Sequence, residues 1–329
     1  MRFTEADLRL GELEALLATH AIEIAHGSRL EEIVLMLAEY LALHRREMTI
    51  GPTTDRRDHW LRMLALVDLA VKILGAAVRP HFGRFIPHLK LFASKEVDPS
   101  QNAPTSMDDQ NNHKLFELLV GVSCDRFCDD LVLEHPNSKD TKTPDLTVSF
   151  EGQRWGVACK VLHSTKPTTY RDRIVDGISQ IDRADVDRGI VLLNAKNLVP
   201  LDEVLPFGRK SEEQPYEVFE TDEAWSTIMH RLQKELAART HEQASDLRLA
   251  LRDSRAEALV AHYFQCMFLK RIEGQARMSP LSVVVTSYLA TGPSEVDPRV
   301  LRFIANLTNS VAWGQSSTLT ETREEANER

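Results

Sequence analysis

The stretch Lys142–Leu162, KTPDLTVSFEGQRWGVACKVL, decides how this chain is read. DLTVSF (Asp145–Phe150) and RWGVACKVL (Arg154–Leu162) are rich in β-branched and aromatic residues, and Glu151-Gly152-Gln153 between them is a hairpin-sized connection. The alternation of a strand puts Ala158 and Lys160 on one face and Cys159 on the other. Asp145, at the head of the neighbouring strand, can then meet Lys160. A lone lysine inside GVACKVL is costly in a buried strand unless something pairs with it.

Working outward, HKLFELLVGV (His113–Val122) carries helical spacing with Glu117 inside it, and LVLEHP (Leu131–Pro136) reads as a short strand. Downstream, a helix is expected from about Tyr170 to Ala184. GIVLLNA (Gly189–Ala195) has the unbroken apolarity of a buried central strand. The order helix, strand, strand, strand, helix, strand predicts an α/β fold with a mixed sheet flanked by helices. Beyond Asn197 the reading is helical from about Asp222 to Glu273, with a break near Arg252. SPLSVVVTSYLA (Ser279–Ala290) follows as a strand, and Pro298–Asn309 as a helix.

The first 95 residues read as an all-helical bundle. Thr4 is placed to cap one helix, Ser28 with Glu31 forms a capping-box pattern for a second, and a third runs from about Arg57 to Ala77. KEVDPSQNAPTSMDDQNN (Lys95–Asn112) has little to bury and marks a linker. The organisation expected is a helical domain (1–95), a linker (96–111), an α/β domain with a C-terminal elaboration (112–310) and a polar tail (311–329).

Composition narrows the class. The chain has 329 residues, 43% hydrophobic and 27% charged, a globular balance that argues against disorder. No apolar run reaches the ~18 residues of a membrane span; Met63–Val78 is interrupted by Asp68 and Lys72 and reads as a packed helix. MRFTEADLRL lacks the apolar region of a signal peptide, so a cytoplasmic protein is expected. Four cysteines in a chain this long point to reduced thiols. The net charge of −9 does not suggest a nucleic-acid binder, although a locally basic groove is compatible with an acidic total. There is no Walker-type phosphate loop and no dinucleotide fingerprint.

On Pro144-Asp145 opening one strand and the Ala158-Cys159-Lys160 triplet on the next, with Glu117 on the preceding helix, the segment 112–196 resembles the PD-(D/E)xK nuclease superfamily, the restriction-endonuclease-like fold. The resemblance implies Mg²⁺-dependent hydrolysis of DNA phosphodiesters, with Mn²⁺ able to substitute, in restriction or anti-phage defence. It assigns metal binding to Asp145, to the acid position held here by Ala158, to the carbonyl of Cys159 and to Glu117. Lys160 would orient the attacking water, and Gln180, on the following helix, would face the site. Lys139, Lys142, Lys166, Arg171 and Arg173 flank it as candidate phosphate contacts.

Ala158 departs from the pattern, since a methyl group neither coordinates a metal nor accepts a proton. The expectation is an endonuclease present in an inactive Ala158 form. Two alternatives stand beside it: the acid has migrated to Glu117 or another carboxylate, or the chain is a non-catalytic pseudonuclease that binds DNA or a partner. An α/β domain unrelated to nucleases, with Asp145 capping a turn, also fits the residues. The helical region leaves room for a homodimer, or for a partner protein supplying NTPase or trigger function.

Overall fold

A computed structural model describes residues 3–44, 57–95, 97, 110–138, 143–162, 166–199, 209–211, 214–250, 253–270, 276–288 and 297–312. The chain opens with helices α1 (Phe3–Thr19), α2 (Arg29–His44), α3 (Arg57–Ala77), α4 (Ile86–Ser94) and α5 (Gln110–Cys124). Strands β1 (Asp130–Leu133), β2 (Leu146–Phe150) and β3 (Gln153–Val161) follow, then α6 (Pro167–Arg183) and β4 (Arg188–Asn194). The remainder is β5 (Arg209–Ser211), β6 (Gln214–Glu220), α7 (Thr221–Glu242), α8 (Ala244–Ala250), β7 (Ala256–Lys270), β8 (Ala276–Tyr288) and α9 (Pro298–Ala312).

These strands form one mixed sheet in the order β1-β2-β3-β4-β7-β6-β5, with β8 also paired to β7. β1, β2 and β3 are antiparallel neighbours, whereas β3–β4 and β4–β7 are parallel. The fold is thus α/β, a mixed sheet flanked by helices with further helices N-terminal to it. Side-chain alternation divides the interior into two cores. Val157, Cys159, Ile190, Leu192 and Val260 face α1–α5 and α9, while Ala158, Leu162, Val191, Leu193 and Leu259 face α6, α7 and α8. The N-terminal helices share the first of these cores with the sheet.

Local chemistry explains the elements that position the hairpin. Phe150 pairs with Gln153, leaving Glu151 (φ 49°) and Gly152 (φ 74°) as a two-residue turn with both residues left-handed, the geometry that matches strand twist. At the head of α2 the Ser28 hydroxyl accepts the Glu31 N–H at 3.2 Å, and the Glu31 carboxylate accepts the Gly27 N–H at 2.6 Å. Asp68 and Lys72, which interrupt the apolar run of α3, are buried and paired with each other one turn apart. The outer end of the hairpin is clamped by α9. Phe303 stacks on Trp155 with ring centroids 4.6 Å apart, and Arg302 reaches both carboxylate oxygens of Glu151 at 2.6 Å.

One segment corrects the sequence reading. Residues 256–270, expected as part of a long helix, form β7, which pairs with β4, β6 and β8. AEALVAHYF begins with helix-favouring residues, yet a strand covered on both faces reads as one apolar run and loses the alternation that would announce it. β5 and β6 were also not anticipated. Most of the expected linker (96 and 98–109), the tail beyond residue 312, and Lys139 and Lys142 lie outside the described residues. Among the described residues no helix is long and apolar enough to cross a membrane.

Candidate functional site

The site lies where the head of β2, the far half of β3 and the first turns of α5 converge. The β2–β3 register, continued one step beyond Leu146↔Val157, sets Asp145 opposite Ala158. Asp145 is almost wholly buried, and its Oδ2 accepts the backbone N–H of Cys159 at 2.8 Å. Glu117, on α5, lies close enough for its charge to act on Asp145. Burial first, and the Glu117 charge second, push Asp145 up to about 7. Burial likewise raises Glu117, against the pull of Lys114.

Glu117 is held on its other side by two groups absent from the sequence reading. Lys114 Nζ donates to Oε1 at 2.8 Å and to Oε2 at 2.9 Å, and His88 Nε2 lies 3.4 Å from Oε2. His88 comes from α4, in the N-terminal helical layer, and is buried. Its burial, then the nearby Lys114 charge, drives it down to about 3, so its ring is neutral. Its Nδ1 has no hydrogen-bond partner. Glu134, just past β1, adds a third carboxyl raised mainly by burial, with the Thr143 hydroxyl 3.4 Å from it. Lys114 stood three residues before Glu117 on an expected helix, and that spacing announces a pair. No such signal marked His88.

Lys160 points to the opposite side of β3 from Cys159, as the alternation requires. Its Nζ donates to Gln180 Oε1 at 2.5 Å and to Asp176 Oδ2 at 2.7 Å, both on α6. Gln180 thus does face the lysine, and Asp176 joins it. Cys159 turns its thiol into the core, where burial raises it well above its ordinary value. Ala158 is fully buried beneath α6. A Cβ on Gly177 would stand 2.9 Å from Val191 and 3.4 Å from Ala158, so helix and sheet are in tight contact here.

Of the candidate phosphate contacts, Lys166 is exposed at the head of α6. Arg173 is half-buried on α6. Arg171 is taken up by Asp172 at 2.6 Å and Asp246 at 2.9 Å.

Among the described residues no group of three or more His, Cys, Asp or Glu side chains is arranged around a metal position. Asp145 and Glu117 nevertheless form a hard-oxygen pair whose mutual repulsion a divalent cation would relieve. Mg²⁺ needs only one or two protein carboxylates when waters and substrate phosphates complete its shell, so the residues present fit it. No known protein family, curated protein or solved structure matches the chain.

Proposed function

We propose that this protein is a Mg²⁺-dependent nuclease hydrolysing DNA phosphodiesters, with Glu117 supplying the second carboxylate that position 158 lacks. The observation that carries this reading is the closeness of Asp145 and Glu117, two buried carboxyls from different elements, with Lys160 also within electrostatic reach of Asp145. Buried acids are normally paired with cations or neutral donors, and two brought together fit a site that binds positive charge. On the resemblance alone, restriction or phage defence is the setting we assign to it.

The bound cation would polarise the phosphate and lower the pKa of a water. Asp145 and Glu117 would hold it. Lys160 Nζ, steered by Gln180 and Asp176, would donate to the attacking water and offset phosphate charge. The Cys159 N–H, fixed on Asp145, keeps that carboxyl aligned with the strand that bears Lys160.

A second reading, a DNA-binding protein that does not cut, draws on the missing donor at Ala158 and on the Lys114 pairing that already neutralises Glu117. Cleavage of supercoiled and linear DNA with Mg²⁺, comparing the unmodified chain with Lys160→Ala and Asp145→Asn, separates the two. The nuclease reading expects cutting that both changes abolish. The second expects salt-sensitive DNA binding and no cutting by any form.

A further inference from the structure

We infer that Lys114 is a built-in cation that occupies Glu117 until a divalent metal displaces it, and so sets the metal affinity of the site. The inference rests on the metal-binding reading above and concerns a residue that reading does not use.

The geometry is that of a stand-in cation. Lys114 Nζ engages both oxygens of Glu117 almost equally, at 2.8 and 2.9 Å, whereas a surface i,i+3 pair needs only one. The Glu117 side chain is 5% exposed, so the ammonium supplies charge that water cannot. Lys114 itself is 18% exposed, which leaves its four-carbon stem a route outward. The groups around Glu117 come from every neighbouring element: Asp145 from the head of β2, Glu134 from the end of β1, His88 from α4, and Lys114 from α5 itself. Lys114 Nζ is the ammonium bonded to both Glu117 oxygens.

A metal coordinated by Glu117 must take at least one oxygen that Lys114 now holds, and an ammonium and a divalent ion on one carboxylate repel each other strongly in a buried setting. Lys114 is therefore a positioning residue. It keeps Glu117 and Asp145 folded together without metal, at the cost of weaker metal binding.

The test is a Mn²⁺ titration followed by the electron paramagnetic resonance signal of free Mn²⁺, which reads binding and not cleavage. Lys114→Met and Lys114→Gln remove the charge, and Lys114→Arg keeps it. The neutral variants are expected to bind Mn²⁺ about tenfold tighter or more, with Lys114→Arg close to the unmodified protein and Asp145→Asn abolishing binding throughout. Binding by a neutral variant alone, lost with Asp145→Asn, also supports the inference. Equal or weaker Asp145-dependent binding in the neutral variants overturns it and leaves the metal site standing. No Mn²⁺ binding by any form overturns both.

Discussion

The Asp145 carboxylate accepts the amide N–H of Cys159 at 2.8 Å, tying the acid at the head of β2 to the strand backbone between Ala158 and Lys160. Glu117, on α5, acts on the same carboxyl through its charge, so three elements bear on one side chain. The pairing also gives the site a pH signature.

Asp145 is raised from 3.8 to about 7 on folding, chiefly by burial and then by Glu117. Between those values the folded chain binds more protons than the unfolded one, so stability is greatest at the acid end of this range and falls as pH rises towards 7. The slope contributed by Asp145 is at most ~1.4 kcal/mol per pH unit. Urea melts across the range are expected to show this decline, and Asp145→Asn should flatten it.

Ala158→Glu should destabilise the fold. Position 158 is fully buried under Gly177, where α6 is already in close contact with Val191. Added volume and an unpaired charge together are expected to cost at least ~3 kcal/mol, read as a lowered midpoint in denaturant. Retention of full stability would show that the site has room for the missing acid, as a disarmed nuclease requires.

The clamp of α9 on the hairpin should prove apolar in origin. Phe303→Ala removes a buried ring stacked on Trp155 and is expected to cost ~3–5 kcal/mol. Arg302→Ala breaks a bidentate pair with Glu151 that is open to solvent, and should leave the denaturation midpoint unchanged within error. Chemical denaturation of both variants checks the contrast.

What the sequence disclosed follows from how local each signal was. Glu151-Gly152 declared its turn, the Ser28–Glu31 spacing its cap, and the strand alternation the opposite facings of Cys159 and Lys160. β7 was misread because its first half, residues 256–263, is covered on both faces, which erases the period that separates strand from helix. At the site, Asp145, Lys160, Glu117 and Gln180 were singled out from the resemblance, and the structure brings Asp145 to Glu117 and Lys160 to Gln180. His88 could not be found in this way, because its partner lies 29 residues away on another helix. Asp176 was hidden among several acids on α6, where only the position of Lys160 distinguishes it.

The most direct test of the account is the Mg²⁺-dependent nicking of supercoiled DNA by Glu117→Gln beside the unmodified chain. If Glu117 supplies the second carboxylate, the unmodified chain nicks and Glu117→Gln loses at least ~100-fold of that rate, while remaining folded. Undiminished nicking by Glu117→Gln, or none by the unmodified chain, would contradict it.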